Sequence, residues 1–519
     1  MKYDAVVIGA GPNGLTAAAM LARRRKKVLV VESAEEIGGH TRTIEFAPGF
    51  RAPLNEDTGW MPARVSRVIR GSRLKKGGGG IALSVVAPDD NRDILMISAR
   101  LQMATEQIRR YSPRDAQKWP AFAERMHNFA RILSQLYLLT PPDIDTTSVR
   151  EMLPLLSIAR KLHALGRDDM TEFLRVMPMS IQDLLDDTFE NPLLKAAIAS
   201  CAVRDLRQGP RSGGTTFNLL HYMVGAPRAS LRGRPWFLGG AEAFANRAAD
   251  TLRRRKVEIR TSTRAERINV KNGAVSGVTL SGGEEVETPL VISTADPKRT
   301  LLGMVDPVWL DPEFMLAVKH IKMRGCTSYV FYALDRELND PASKFTATVS
   351  LTSDTTALDR AADAAKYGTT SPEPHVEFFA PTRRWSNLAP DGKHIIVARV
   401  QYTPHKLAHG KWDDSSACAI ADKVTPMIAR AIPDFENTIT HRAVLTPRDI
   451  EERYGVTEGA LTQGEMMLDQ ILFMRPVAGW GRYRMPVDGL FLGGAGAHPG
   501  PGVLGGAGYL AAKAALRGG

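Results

Sequence analysis

The sequence predicts an α/β protein whose parallel layer is discontinuous, gathered from separate segments, with an inserted helical cap and a second domain of mixed α+β character. Three observations lead there. A short apolar strand runs into a glycine loop and a helix at the start of the chain. A glycine cluster separates another short strand from a closing helix at its end. Mainly helical periodicity fills the stretch from residue 101 to about 220. At 519 residues the chain exceeds one ordinary core, and 44% hydrophobic with 24% charged residues is the composition of a folded protein.

Residues 2–8, Lys-Tyr-Asp-Ala-Val-Val-Ile, form an apolar run that ends in glycine, as buried parallel strands do. Gly9-Ala10-Gly11-Pro12-Asn13-Gly14 follows, residues 15–25 have helical character, and a second apolar run, Val28–Val31, ends in Glu32. Each part suits a dinucleotide. Gly9 allows the tight turn, Gly11 lets a pyrophosphate approach the backbone, and Gly14 lets helix and strand pack closely. Pro12 and Asn13 open a helix whose N-terminus directs free N–H groups and a positive dipole end at phosphates. Glu32 accepts from a ribose 2′-OH, which argues against a 2′-phosphate. Gly38-Gly39, six residues after Glu32, is a second glycine pair that supports the flavin half of FAD.

The net charge of +12 leaves nucleic acid, an anionic membrane surface or an acidic ligand open. The basic runs at residues 23–27 and 253–256 each close a helix, where cations complement the dipole. With no DNA- or RNA-reading motif beside them, no nucleic-acid partner is expected. Cys201, Cys326 and Cys418 lie far apart without a CxxC, which excludes a redox dithiol, a zinc knuckle and a secreted disulfide scaffold. No metal site is expected. A strand beginning at Tyr3 leaves no room for a signal peptide, and the nine glycines of residues 489–512 do not suit a membrane span. The expectation is a cytoplasmic protein, with association at a membrane surface left open.

Gly77-Gly78-Gly79-Gly80 leads into a β-like run at 81–86, not a helix, so it is not a second nucleotide loop. Amphipathic helices are expected at 103–108, 122–138 and 153–165, interrupted by prolines at 141, 142, 154, 178 and 192. Phe237-Leu238-Gly239-Gly240 leads into a helix over 242–252 and a strand at 257–259. Short strands follow at 265–270, Ala274–Leu280 and 290–293. Residues 306–454 are expected to form the second sheet domain, with strands at 328–334, 375–380 and His394–Gln401. The expected division is residues 1–75, 235–305 and 455–519 for the FAD-binding domain, 100–234 for the cap and 306–454 for the substrate domain.

Leu490–Leu492 is a buried strand, Gly493 to Gly508 carries eight glycines, and residues 511–516 close the chain as a helix. Bare backbone there, again at a helix N-terminus, suits the isoalloxazine edge and ribityl chain of a flavin, and its dipole favours the anionic reduced form. Gly494, Gly496, Gly502 and Val503 are the expected contacts, and Ala265 is added from the middle segment.

With both ends read, the chain resembles the phytoene desaturase-like branch of the FAD-dependent amine oxidase superfamily, over nearly its whole length. The likeness rests on the N-terminal fingerprint, Pro48-Gly49-Phe50, Tyr111-Ser112-Pro113-Arg114-Asp115-Ala116 and Gly239-Gly240. It rests also on Ser293-Thr294-Ala295-Asp296-Pro297, Asp469-Gln470 with Arg475-Pro476, and Gly494-Ala495-Gly496-Ala497-His498-Pro499-Gly500. The resemblance implies a Rossmann-like FAD domain with a substrate domain, and redox chemistry on a lipophilic isoprenoid or carotenoid-like substrate. Three departures stand out. Residues 55–60, Asn-Glu-Asp-Thr-Gly-Trp, replace the Asp-x-Gly-Pro of phytoene desaturases; His40 stands where arginine is common; Ala495 stands where many flavoproteins place an acid on the ribityl chain.

The simplest chemistry is hydride transfer between a substrate C–H and flavin N5, with a proton moved by a nearby acid or base. His498 is the candidate for that proton, the other reading being a brace for its loop. Arg475 is read as a holder of the loop or of an anionic substrate group, with a structural ion pair as the alternative. Glu56 and Asp57 are further candidates for that acid or base, the default being solvated loop carboxylates, and Trp60, Trp236, Tyr483 and Tyr509 are read as channel walls or core. No second GxGxxG is present for a nicotinamide, so oxygen or a quinone is the expected electron acceptor. An FAD amine oxidase and a flavin-binding interaction protein with little turnover are the alternative functions.

Overall fold

The apolar runs that open and close the chain lie side by side. Leu490–Leu492, Val291–Ser293, Ala5–Ile8, Val28–Val31 and Glu258–Arg260 form, in that order, a five-stranded sheet whose pairs are all parallel. Val7 sits beside Ile292 on one side and Val30 on the other, and Ile292 beside Phe491. The structure is a computed structural model and describes residues 2–57, 59–78, 81–86, 94–142, 156, 159–160, 163–228, 230–232, 234–338 and 348–517.

Continuous apolar strands are the pattern of a sheet covered on both faces. Every residue of Ala5–Ile8 and Val28–Val31 is buried, each Val or Leu contributing about 2 kcal/mol. The helices Pro12–Arg23, Ala243–Arg254 and Gly506–Ala515 pack around this layer, the first touching both others. Pro12 pre-sets the first turn of its helix, which then runs on Leu, Thr and four alanines. The basic runs do close helices: Arg23 ends the first, and Arg253 and Arg254 lie in the last turn of the second. Ala265–Lys271, Ala274–Leu280 and Glu285–Glu287 form a separate antiparallel sheet, turned at Asn272-Gly273 where both φ angles are positive.

A seven-stranded sheet makes the second layer. Its order is Ile439–Leu445, Thr327–Leu334, His394–Gln401, His375–Phe379, Thr348–Leu351, Ile81–Val86 and Ile94–Ser98, antiparallel except where Thr348–Leu351 meets Ile81–Val86. The three expected strands are present, and two strands that precede the helical insertion complete one edge. Gly79 and Gly80 lie outside the described residues, as does most of the expected helix 153–165.

The insertion is helical throughout its described elements, with Leu101–Arg109, Pro113–Leu136, Arg167–Val176, Ile181–Thr188, Pro192–Ala202 and Thr215–Met223. The Tyr111–Ala116 motif has a structural duty. The Ser112 hydroxyl accepts from the Asp115 N–H at 3.1 Å, capping the second helix, while the Asp115 carboxylate accepts from the N–H groups of Glu190 and Asn191 at 3.0 and 2.8 Å.

The two ends are locked by the absence of side chains. A Cβ on Gly508 would lie 1.9 Å from the Asn13 carbonyl oxygen, and one on Gly14 would lie 1.8 Å from that of Gly9. Gly508→Ala is expected to lower stability by about 2–3 kcal/mol in denaturant titration, whereas Gly78→Ala, with nothing within 4 Å, should change it by less than about 0.5 kcal/mol. Equal effects would contradict the close packing.

Candidate functional site

The glycine loops meet along one groove, whose two parts share Pro12, Asn13, His40, Leu461 and Ala495 in their walls. Its rear part, a void of about 1640 Å³ open to solvent, is lined by Gly9, Gly11, Pro12, Asn13, Glu32, Gly39 and Ala265, with Thr294 and Gln463 beside them. Its front part, a space of about 930 Å³ likewise open to solvent, is lined again by Pro12 and Asn13 and then by the Gly500–Gly505 loop, including Gly502 and Val503. His40 and Ala495 line both parts. Gly14, Gly38, Gly494 and Gly496 do not line it; they pack behind it, Gly494 against the Thr294 carbonyl and Gly496 against Pro297.

Local contacts fix this shape. Glu32 receives the Ala10 N–H at 2.7 Å and the Ala34 N–H at 3.0 Å, so its carboxylate is held at the strand end. The helix at Pro12 begins from Gly11 with no side-chain cap and no acid in its first turn, which leaves its N-terminal field facing the groove. The C-terminal loop is pinned from both sides. Trp60 N–H donates to the Gly502 carbonyl and Leu504 N–H to the Trp60 carbonyl, each at 2.8 Å, and Gly508 N–H donates to the Asn13 side-chain oxygen at 3.3 Å. Gln463 bridges the rest, donating to the Thr294 carbonyl at 3.1 Å and accepting from Gly496 N–H at 2.8 Å.

This geometry fits FAD. A cleft with bare backbone at Gly11 and Gly39, an uncapped helix end and a fixed carboxylate at Glu32 suits the adenosine diphosphate half. The front cavity, against a second glycine loop at another helix N-terminus, suits the flavin half. The residues of the whole chain compare accordingly: a model of the family described as flavin containing amine oxidoreductase matches residues 13–515. The chain belongs to that family. It is similar to pyridine nucleotide-disulfide oxidoreductase domain-containing protein 2 of Rattus norvegicus, at 32% identity over 99% of this chain and 94% of the relative. It is similar also to the phytoene desaturase of Fusarium fujikuroi, at 23% identity over 97% of this chain and 87% of that protein. Among solved structures, wild-type putrescine oxidase bound to putrescine matches with a TM-score of 0.59 at 14% identity, covering 100% of this chain and 99% of that one. The protein is an FAD-dependent oxidoreductase.

Two expected chemical residues are placed elsewhere. His498 does not line the groove. It is 1% exposed, its Nε2 lies 3.3 Å from the Leu136 carbonyl, and its ring meets Tyr137 edge-on, so it ties the loop to the cap. Burial pushes its imidazole down to about 4. Among the described residues Arg475 pairs with no carboxylate, and it does not line the groove. Its guanidinium donates to the carbonyls of Thr462, Gln463, Gly464, Glu465, Gln470 and Ala495 at 2.7–3.4 Å, which makes it the internal clamp of the loop. Trp60, Trp236, Tyr483 and Tyr509 are absent from the front wall, where Tyr222 and Tyr329 stand instead.

The loop carboxylate Glu56 is not solvated. Glu56 is 5% exposed and receives Arg204 at both oxygens and Arg232 at 2.8 Å. Arg232 also donates to Glu377 at 2.6 Å, Arg399 pairs with Asp205, and Tyr222 donates to Asp205 at 2.5 Å. Arg234 lies 3.9 Å from Asp57, and Arg384 donates to the Glu56 carbonyl. Burial alone would raise the Glu56 and Glu377 carboxyls. Arg204 and Arg232 hold Glu56 well below the usual range, and Arg232 with His375 and Arg399 holds Glu377 at about 2. No local signal marks these partners in sequence, since Glu56 and Arg204 are 148 residues apart.

His375 is likewise fully buried and pushed down to about 4 from an ordinary 6.5, burial outweighing the pull of Glu377. For His375 and His498 the unfolded chain binds a proton that the folded chain refuses. Stability is therefore expected to be highest above pH about 6.5 and to fall as pH drops toward 4, by up to about 3 kcal/mol per histidine. Denaturant titration at a series of pH values measures the slope. His498→Asn should flatten it; a rise in stability on acidification would contradict the assignment.

Proposed function

We propose that the protein desaturates or saturates a C–C bond of a lipophilic substrate by hydride transfer. FAD, when bound, supplies a two-electron acceptor or donor of hydride at N5. Residues 1–75, 235–305 and 455–519 act as the FAD-binding unit, 100–234 as the cap and 306–454 as the core of the substrate domain. Backbone at Gly11, Gly39, Gly502 and Val503 orients the cofactor, Glu32 holds the ribose, and the cap helices with Tyr222 exclude water from the front cavity. Asp57 faces that cavity and is the group placed to take or return the proton of the second C–H bond. Substrate electrons leave as hydride, the proton goes to the carboxylate, and oxygen or a quinone then receives the electrons.

One observation carries the choice among family chemistries. The interior behind the front cavity holds five arginines (Arg204, Arg232, Arg234, Arg384 and Arg399) against four carboxylates (Glu56, Asp57, Asp205 and Glu377) among the described residues. An ammonium substrate would meet Arg204 and Arg234 beside Asp57 and Asp205 on the cavity wall, with the excess arginine behind them, whereas an apolar chain is not repelled. The walls formed by Pro53, Ala241, Leu461, Val503 and Tyr329 suit such a chain. Kinship with a phytoene desaturase supports the same reading, and kinship with putrescine oxidase supports the amine-oxidase alternative.

Among the described residues no helix is long and apolar enough to cross a membrane, so a lipophilic substrate would be taken from a surface, where the +12 charge favours anionic lipid. Anaerobic mixing separates the functions. Polyene or other unsaturated lipids are expected to bleach the flavin of the purified protein, while putrescine and benzylamine leave it oxidised. Bleaching by amines, with peroxide released in air, would select the amine oxidase. Bleaching by neither, together with no reoxidation of dithionite-reduced flavin by the unsaturated lipids, would leave a flavin-binding protein without turnover.

A further inference from the structure

The excess positive charge behind the front cavity comes to the surface of that cavity at two side chains. Arg234 is 5% exposed, donates to the carbonyls of Val224 and His221 at 2.8 and 3.2 Å, and has Asp57 no nearer than 3.9 Å. Arg204 is 8% exposed and donates its terminal nitrogens to Glu56 and Asn55; its Nε is buried with no hydrogen-bond partner among the described residues, the Asp205 carboxylate lying 3.6 Å away. Both guanidinium groups sit over the Tyr222 ring, at 5.2 and 5.8 Å from its centre. All three side chains line the cavity. Two buried like charges on one ring raise each other's energy; Glu56 and Asp205 compensate Arg204, whereas Arg234 has no carboxylate within hydrogen-bond distance among the described residues. Burial first, and Arg204 after it, push the Arg234 guanidinium below its ordinary value against the pull of Asp57.

We propose that the front cavity anchors a carboxylate between Arg234 and Arg204, so that the substrate is an apolar acid and not a neutral hydrocarbon. This rests on the reading that the front cavity, which takes the flavin half of FAD, also receives the substrate beside it. The excess of one positive charge matches one monoanion. A guanidinium fork matches the planar carboxylate. Asp57 and Asp205, at the edge of the same cavity, repel a dianion such as a phosphate monoester more strongly than a monoanion. The remaining walls, Pro53, Leu461, Val503 and Tyr329, receive the apolar body of the acid beside the Gly500–Gly505 loop.

The experiment is calorimetric titration of the FAD-loaded protein with decanoate, decanamide, decylamine and decyl phosphate, with flavin absorbance recorded in parallel. Decanoate is expected to bind at least about tenfold more tightly than the other three, which share its chain and differ in its head group. Arg234→Gln should weaken decanoate by about tenfold or more and leave decanamide unchanged, and Arg234→Lys should recover part of the loss. Equal binding of decanoate and decanamide, a preference for decylamine or decyl phosphate, or no binding of decanoate would each overturn the proposal in the wild-type protein, whatever the variants do. Failure of the flavin reading itself shows earlier and separately, as a protein that carries no FAD to load.

Discussion

The structure depends on how closely two glycine-bearing helix ends approach each other. Helix Gly506–Ala515 reaches helix Pro12–Arg23 at a distance where Gly508 touches the Asn13 carbonyl and Gly505 faces the Thr16 hydroxyl, with no room for a Cβ at either place. From that contact the rest follows. The strands before the two helices enter one parallel sheet, so both helix N-termini emerge at the same edge and turn their N–H groups into one groove. Trp60 then fixes the second loop by pairing its backbone with Gly502 and Leu504. A groove with two positive ends suits a ligand with a diphosphate in its middle and a flavin that becomes anionic on reduction.

A second constraint is electrostatic. The cap and the seven-stranded sheet meet across the front cavity through Glu56, Arg204, Arg232 and Glu377, all buried. Removing any one partner would strand a charge in a low-dielectric interior, which makes this network a fixed frame and not a mobile surface. It also puts Arg204 and Arg234 with Asp57 and Asp205 on the cavity wall, charged groups that a uniformly apolar tunnel lacks.

The parallel layer was legible because each of its parts has a local signature: an apolar run, a glycine with a defined steric duty, an acid at the strand end. The strands Thr327–Leu334 and His394–Gln401 were legible for the same reason, being long and apolar. The edge strands Ile81–Val86 and Ile94–Ser98 were not assigned to the second sheet, since pairing across more than 260 residues leaves no trace in periodicity. His498 and Arg475 drew attention by standing in distinctive motifs, yet both are distinctive for packing: one braces the cap, the other satisfies six carbonyls. The residues that colour the front cavity, Arg204, Asp205, Tyr222 and Arg234, stand in unremarkable stretches. Their meaning comes only from the fold that collects them.

The account stands on one cofactor held simultaneously by both ends of the chain. Hydrogen–deuterium exchange of the apoprotein with and without added FAD measures this most directly. Slowed exchange is predicted at residues 9–14 and at 500–508 together, saturating at one FAD per chain. Protection of only one of these segments, or of neither, would contradict it.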